Sequence, residues 1–141
     1  MHKIKSSVEL DSASVKACWD KIKSAKGADL FVDKFYQLMF EHHPETRSLF
    51  PENLMEQKRT LLSTLDNVIN GIEYINELEE ELIELGQHHK NIGIKQEMFN
   101  AFITTIVETA NSSSDYRLTK EELIAWENAF REVSNIMLKA Y

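Results

Sequence analysis

The chain has 141 residues, the size of one domain, and its 43% of apolar residues can fill a single core, while 4 glycines and 2 prolines exclude collagen-like and disordered classes. Its net charge of −7 would repel nucleic acid and anionic membranes, and no apolar run approaches the length of a membrane span. The N-terminus lacks the apolar centre of a signal peptide and the single cysteine, Cys18, cannot form an internal disulfide, so we expect a cytoplasmic protein.

The start of the chain is predicted to be a short extension followed by two helices. Residues 1–10 form the polar extension, and Asp11 and Ser12 are suitable N-cap residues for the first helix. The apolar face of that helix is Val15, Cys18, Trp19 and Ile22. Lys26 and Gly27 are expected to break the helix. The second helix contains the stretch FVDKFYQLMF, and its inner face is Phe31, Phe35, Leu38 and Met39.

The middle of the chain is predicted to turn a corner and then to form two more helices. Residues 41–53 carry both prolines, Pro44 and Pro51, which indicates a tight corner and not a regular element. The third helix covers roughly 54–71, with an apolar stripe of Leu61, Leu65, Val68 and Ile72. The fourth covers roughly 75–90, with a stripe of Ile75, Leu78, Leu82 and Leu85.

The last part of the chain is predicted to hold two helices joined by the polar loop 111–118. The fifth helix covers about 95–110, with Phe99, Phe102, Ile106 and Ala110 on its inner face. Thr119 and Glu122 have the spacing of a capping box. The sixth helix carries Leu123, Trp126, Phe130, Val133 and Met137. No segment alternates with period two, so the chain is predicted to be all-α, with six main helices in one domain over residues 11–141.

One polar residue continues the apolar stripe of the fourth helix. After Leu82 and Leu85, the next step of the pattern falls on His89. A histidine on a core face is more often a packing residue than a ligand, so its position alone leaves both interpretations open. Its neighbour His88 lies about 100° away around the helix and cannot face the same centre.

Three more residues would have common structural roles if each were considered alone. Gln57 ends the stripe of the third helix and would usually mark its boundary with solvent. Tyr36 would usually be a semi-buried core tyrosine, and Phe50, after the proline corner, a core anchor. The chain has no HExxH motif, no phosphate-cradling glycine loop and no Gly-x-Ser-x-Gly elbow. Taken with His89, the order and spacing of these residues would let their helices converge on one flat apolar ligand.

From about residue 11 to its end the chain resembles a globin. The stretches that carry the resemblance are FYQLMFEHHPETRSLF, MEQKRTLL, LGQHHKNIGI and AWENAF. The resemblance is to bacterial single-domain haemoglobins and to the haem domains of flavohaemoglobins, and LGQHHKNIGI is also similar to the matching segment of neuroglobin-like proteins. It implies the globin fold, a three-over-three helical sandwich, and haem b as the cofactor.

The resemblance also implies roles for the ordinary residues. In the family a proline opens the turn after the second helix, and a phenylalanine six residues on packs against the haem, as Pro44 and Phe50 would. The proximal histidine, which ligates the iron, precedes a short segment ending in Gly-Val or Gly-Ile, and His89 with residues 92–94 matches. In bacterial members a distal tyrosine and a distal glutamine face the gas, which implies Tyr36 and Gln57.

The walls of the haem pocket follow partly from the helix stripes and partly from the resemblance. Residues expected to bind the cofactor, besides the four above, are Leu61, Leu65, Leu85, Ile94, Phe99, Phe102 and Val133. Two positions depart from flavohaemoglobins, which support the proximal histidine with a tyrosine and a glutamate. Here the tyrosine position holds Phe99, and the glutamate position falls near Tyr141.

Three functions remain open at this point. The first is a reversible dioxygen binder for storage or delivery, which would also take carbon monoxide and nitric oxide. The second is a nitric oxide dioxygenase that works with a separate reductase, because this sequence contains no flavin domain. The third is a gas sensor or a globin without haem, for which the iron ligand would have to be missing. The sequence favours the first.

Overall fold

The computed structural model describes residues 10–112 and 117–141, so the expected extension lies almost wholly outside it. Within these residues the chain is helical and contains no strand, as predicted. The six α-helices are α1 Ser12–Ile22, α2 Ala28–His42, α3 Met55–Gly71, α4 Glu79–Asn91, α5 Met98–Ser112 and α6 Lys120–Met137. None of the described helices is both long enough and apolar enough to cross a bilayer.

The two predicted helix starts with capping side chains are confirmed. The Asp11 carboxylate accepts a bond from the backbone N–H of Ser14 at 3.1 Å and so caps α1. At the start of α6, the Thr119 hydroxyl accepts from the N–H of Glu122 at 3.1 Å. The Glu122 carboxylate accepts from the N–H of Thr119 at 2.9 Å, which completes the capping box.

The prediction that Lys26 and Gly27 break the helix is wrong, because the chain stays helical there. The backbone of Lys23–Gly27 forms a π-helical turn that leads directly into α2. Gly27 keeps a right-handed helical conformation, with φ −92°. A glycine lowers helix stability without forcing the chain out of helical geometry, so the two helices remain joined.

The corner and the fourth helix also differ from the prediction. Pro44–Leu49 forms a short 3₁₀ helix, since proline is compatible with a first helical turn. Before α4, Ile72–Leu78 forms 3₁₀ turns in which Tyr74 has non-helical angles, so the α-helix begins at Glu79 and not near 75. Its first turn carries Glu79, Glu80 and Glu81, which favour a helix start because they oppose the positive end of the helix dipole.

The core is formed by close packing of α6 against α1, α4 and α5, and of α2 against α3 and α5. Its centre is aromatic: the ring of Trp19 lies edge-on to Phe31 at 5.2 Å and to Trp126 at 6.3 Å. The indole N–H of Trp19 donates to the Asp66 carboxylate at 3.0 Å, which ties α1 to α3. Cys18 is buried in this core, as predicted for a structural thiol.

Gly86 sets the distance between α4 and the end of α6. A Cβ added there would lie 2.1 Å from the backbone oxygen of Met137. Backbone cannot yield as a flexible side chain can, so only glycine permits this approach. The approach matters for the site, because Gly86 lies one turn before His89 on the same helix.

We expect Gly86→Ala to lower the free energy of unfolding by about 1–3 kcal/mol, through overpacking against α6. Gly71→Ala is the matched control. Its Cβ would meet the Leu78 side chain, with Cδ1 nearest at 3.0 Å, and that side chain can move. Urea denaturation of both variants measures the effect, and equal stability of the two would show that the contact with Met137 sets no constraint.

Candidate functional site

Three aromatic rings form a triangle where α2 meets the proline corner. Tyr36 and Phe40 lie on α2, and Phe50 follows the 3₁₀ helix. The centroid distances are 5.5 Å for Tyr36–Phe50, 5.8 Å for Tyr36–Phe40 and 5.7 Å for Phe40–Phe50. We call these residues the three-ring cluster. The structure thus brings together Tyr36 and Phe50, two of the residues predicted for the site.

Gln57 lies beside this cluster, at the start of α3. The hydroxyl of Tyr36 donates to the backbone carbonyl of Gln57 at 3.4 Å, longer than a strong O–H···O bond. Burial of the phenol raises the pKa of Tyr36 to about 12, so the hydroxyl keeps its proton at neutral pH. The Oε1 atom of Gln57 is buried and has no hydrogen-bond partner among the described residues. The Tyr36 hydroxyl and the Gln57 carboxamide oxygen therefore lie in an apolar setting with hydrogen-bonding capacity unused.

His89 occupies the last turn of α4 and is half-buried, whereas its neighbour His88 is exposed. Burial lowers the pKa of His89, and the adjacent His88 adds to the effect. The imidazole is therefore neutral at physiological pH and has one nitrogen with a free lone pair. Its ring faces that of Phe99 on α5, edge-on, with centroids 6.2 Å apart.

Tyr141 contacts two residues that lie next to His89, Phe99 and Ile94. The ring of Tyr141 lies edge-on to Phe99 at 5.5 Å, and its hydroxyl donates to the carbonyl of Ile94 at 2.7 Å. The N–H of Ile94 in turn donates to the carbonyl of His89 at 3.0 Å. Among the described residues, the His89 ring makes no hydrogen bond to a carbonyl of the preceding turn.

A glycine turn brings the end of α4 to the proline corner. Gly93 has φ +100°, in the left-handed region that favours glycine. A Cβ at this position would meet the Leu49 side chain at 3.8 Å, and Leu49 directly precedes Phe50. The turn after His89 and the residue before Phe50 are therefore neighbours, although they lie far apart in sequence.

The remaining residues predicted for the pocket fall into two groups. Leu65, Phe99 and Val133 are buried in the core. Half-buried, although they pack against that core, are Phe50, Leu61, Leu85, Ile94 and Phe102. Phe102 contacts Phe35 at 5.6 Å, and Phe35 contacts Tyr36 at 5.2 Å, so α5 links the Tyr36 side of the site to the His89 side. Apolar side chains left partly uncovered on inner faces are what a flat apolar ligand requires.

Two open grooves lie outside this arrangement. The larger has a volume of about 560 Å³ and is lined by His43, Glu45, Lys95, Glu97, Met98, Asn100, Ala101, Thr104 and Arg131. The smaller has a volume of about 380 Å³ and includes Phe99 and Ser134. Neither groove is lined by Tyr36, Gln57 or His89. Gln57 lies on α3 and His89 on α4, so a candidate site that uses both residues would lie between these two helices.

One residue near the site carries no signal in the sequence. The guanidinium of Arg47 binds three consecutive backbone carbonyls, those of Phe50, Pro51 and Glu52, at 3.0–3.2 Å. Its position in a polar corner predicts an exposed charge and nothing more. The contact depends on how the chain folds back after the 3₁₀ helix, which the periodicity of the sequence does not encode.

The all-helical fold, with His89 on α4 and with Tyr36 and Gln57 beside Phe50, is the arrangement expected of a globin. The profile of the globin family matches residues 33–137. The chain belongs to the globin family.

Solved structures and relatives agree on the fold. The chain superposes on a bacterial globin from Campylobacter jejuni with a TM-score of 0.79 and 19% identity, over 92% of each chain. It superposes equally well, with 21% identity over 94% of each chain, on an engineered carbene transferase made from a candidate nitric oxide dioxygenase of Rhodothermus marinus.

Two curated relatives are flavohaemoproteins. That of Halalkalibacterium halodurans is 21% identical over 118 residues, and that of Bacillus cereus is 25% identical over 120 residues. These alignments cover 82% and 80% of this chain but only 29% and 28% of the relatives. The chain therefore matches less than a third of the length of each.

The raised pKa of Tyr36 predicts a loss of stability in alkali. Above pH 10 the unfolded chain releases the phenol proton, whereas the folded chain holds it until about pH 12, so the stabilisation is complete below pH 10 and declines across this interval. The decline should amount to roughly 2–3 kcal/mol. Tyr36→Phe should remove this part of the pH dependence. Tyr74→Phe, at a residue that is 59% exposed, is the control and should keep it.

Urea titrations of the three proteins at a series of alkaline pH values measure this difference. A Tyr36→Phe protein with the same alkaline slope as the wild type would show that the phenol titrates normally and is not held in an apolar site.

Proposed function

We propose that this globin binds haem b through His89 and takes up dioxygen reversibly, for storage or delivery in the cytoplasm. The observation that carries the gas-binding part is the polar pair beside the three-ring cluster. The Tyr36 hydroxyl makes only a long bond, and Gln57 Oε1 is buried without a partner among the described residues. Unused hydrogen-bonding capacity in an apolar site costs stability. A ligand that accepts hydrogen bonds would use the Tyr36 donor, whereas Oε1 is itself an acceptor, so Gln57 would serve the same ligand only by turning its N–H₂ group toward it.

The residues present fit haem. A haem plate needs apolar walls, and Leu61, Leu85 and Phe102 supply half-buried apolar side chains. It also needs a neutral nitrogen ligand, which the depressed pKa of His89 provides. When bound, haem b would supply an iron that can take up dioxygen, carbon monoxide or nitric oxide.

Tyr36 and Gln57 would then determine which gas is bound more tightly. The phenol proton stays in place at neutral pH, so Tyr36 is a donor throughout the physiological range. Its bond to the Gln57 carbonyl is long, so redirecting the hydroxyl toward a ligand gives up little. The Gln57 carboxamide can rotate to present its N–H₂ group as a second donor. A strongly polarised ligand such as dioxygen would gain from both donors, whereas the less polar carbon monoxide would gain far less.

The surroundings of His89 favour binding over redox turnover. A carboxylate bonded to the imidazole would increase the electron density that the ligand pushes to a metal. Here the ring meets Phe99, and behind Phe99 lies Tyr141, whose hydroxyl is committed to the Ile94 carbonyl. None of these described contacts of His89 is a carboxylate, so the imidazole would donate less electron density to a bound metal.

The alternative is nitric oxide dioxygenation, in which dioxygen in the pocket converts nitric oxide to nitrate. Its support is that the relatives are flavohaemoproteins and that one structural neighbour derives from a candidate nitric oxide dioxygenase. Repeated turnover by this route needs a source of electrons, for which we propose a separate reductase. An assay of nitrate formation with and without added reductase and NADH distinguishes the two functions.

Tyr36→Phe should speed dioxygen release from the haem-loaded protein by roughly 10- to 150-fold. This range corresponds to the ~1.5–3 kcal/mol that a hydrogen bond to a charged acceptor contributes. Release of carbon monoxide should change far less, because that ligand carries little charge to stabilise. Stopped-flow displacement of each gas measures both rates.

Tyr74→Phe serves as the control, since Tyr74 is exposed and lies on the 3₁₀ segment before α4. Its dioxygen release should match that of the wild type. An unchanged dioxygen off-rate in Tyr36→Phe would rule out the donor role of this hydroxyl, even if haem binding itself is intact.

A further inference from the structure

Arg47 lies in the 3₁₀ helix and holds the chain that follows it. One of its terminal nitrogens donates to the carbonyls of Phe50, at 3.2 Å, and Pro51, at 3.0 Å. The other donates to the carbonyl of Glu52 at 3.2 Å. A single cation therefore satisfies three consecutive acceptors in a segment with no secondary structure of its own.

The same guanidinium also lies on an aromatic face. Its Cζ is 4.9 Å from the centre of the Phe40 ring, within the range of a cation–π contact. Phe40 belongs to the three-ring cluster, together with Tyr36 and Phe50. Arg47 thus connects the carbonyls of residues 50–52 to the rings that surround the Tyr36 hydroxyl.

The segment held in this way links two predicted site residues. Residues 50–54, which we call the 50–54 loop, run from Phe50 to the start of α3, where Gln57 lies in the first turn. At its far end, the side chain of Asn53 accepts from the N–H of Met55 at 2.9 Å. Movement of the loop would therefore shift Phe50 and Gln57 relative to Tyr36.

We propose that Arg47 is a positioning residue that fixes the 50–54 loop, and through it the placement of Phe50 and Gln57 around the ligand pocket. The proposal rests on the gas-binding function given above and extends it to a residue that acts through the 50–54 loop. Arginine suits the task because its planar, forked donors reach several carbonyls at once while its flat face stacks on a ring. Lysine offers a point charge and can do neither as well.

Arg47→Lys therefore tests the proposal with the charge conserved. Arg59→Lys is the matched control, because the Arg59 side chain is 69% exposed and has only a 3.9 Å contact with Glu56. Three measurements are made on wild type and both variants: Soret absorbance, the infrared stretching band of carbon monoxide taken up by the haem-loaded protein, and the dioxygen off-rate. Amide hydrogen exchange at Phe50 and Met55, which bracket the loop, provides a fourth reading that does not depend on haem.

We expect Arg47→Lys to keep its Soret band, because His89 is untouched. Its carbon monoxide band should broaden or split as the donors take up several positions, and dioxygen release should speed up by roughly three- to tenfold. Exchange at both amides should also accelerate. Arg59→Lys should match the wild type in all four readings. Arg47→Gln repeats the comparison in case lysine at this position impairs folding.

Each other outcome counts against the proposal. A wild-type Soret band with an unchanged carbon monoxide band and off-rate in Arg47→Lys would overturn the role of Arg47 and leave the gas-binding function standing. Faster amide exchange without any change at the pocket would show that Arg47 stabilises the loop but does not position the site. A wild-type protein that takes up no haem would remove the gas-binding function and this inference together.

Discussion

The proposed site depends on an uncharged imidazole at one end of α4. Two effects act on His89 in opposite directions. The carbonyl end of a helix favours a protonated histidine, typically by about 0.3–1 kcal/mol at exposed positions. Burial and the neighbouring His88 favour the neutral ring, and these effects prevail, because the pKa of His89 is lowered. Neutrality leaves a lone pair on a half-buried nitrogen, and this makes the residue a suitable iron ligand.

Two glycine positions and one hydrogen bond place the backbone around His89. Gly86 lets α4 approach the end of α6 to a distance that any side chain would prevent. Gly93 turns the chain back toward the proline corner with a positive φ. Tyr141 bonds the Ile94 carbonyl and thereby holds the turn that follows the histidine. The position of the imidazole is thus determined by packing on both sides of its helix.

The sequence predicts the helices well where a strong apolar period coincides with a capping residue. Asp11 and the Thr119–Glu122 box begin helices at the expected positions. Prediction is weaker where a helix changes type. The π-helical turn at Lys23–Gly27 and the 3₁₀ turns of Ile72–Leu78 keep helical spacing of apolar residues, so periodicity cannot distinguish them from an α-helix or locate its start.

The residues of the candidate site also differ in whether the sequence alone can reveal them. His89, Gln57 and Tyr36 are detectable because each places a polar group in an apolar row, and a family resemblance then relates them to one another. Arg47 and the contact of Tyr141 with Ile94 are not detectable, since both act on backbone carbonyls. A carbonyl is present at every residue, so only the folded path of the chain determines which ones a side chain meets.

The most direct test of the account is the visible spectrum of His89→Ala beside that of His88→Ala, each purified from cells supplied with haem. We predict that His88→Ala retains the Soret band and reversible dioxygen uptake, because His88 is exposed and points away from the site. His89→Ala should lose both, because no described residue replaces its nitrogen. Retention of the Soret band and of gas uptake in His89→Ala would contradict the account.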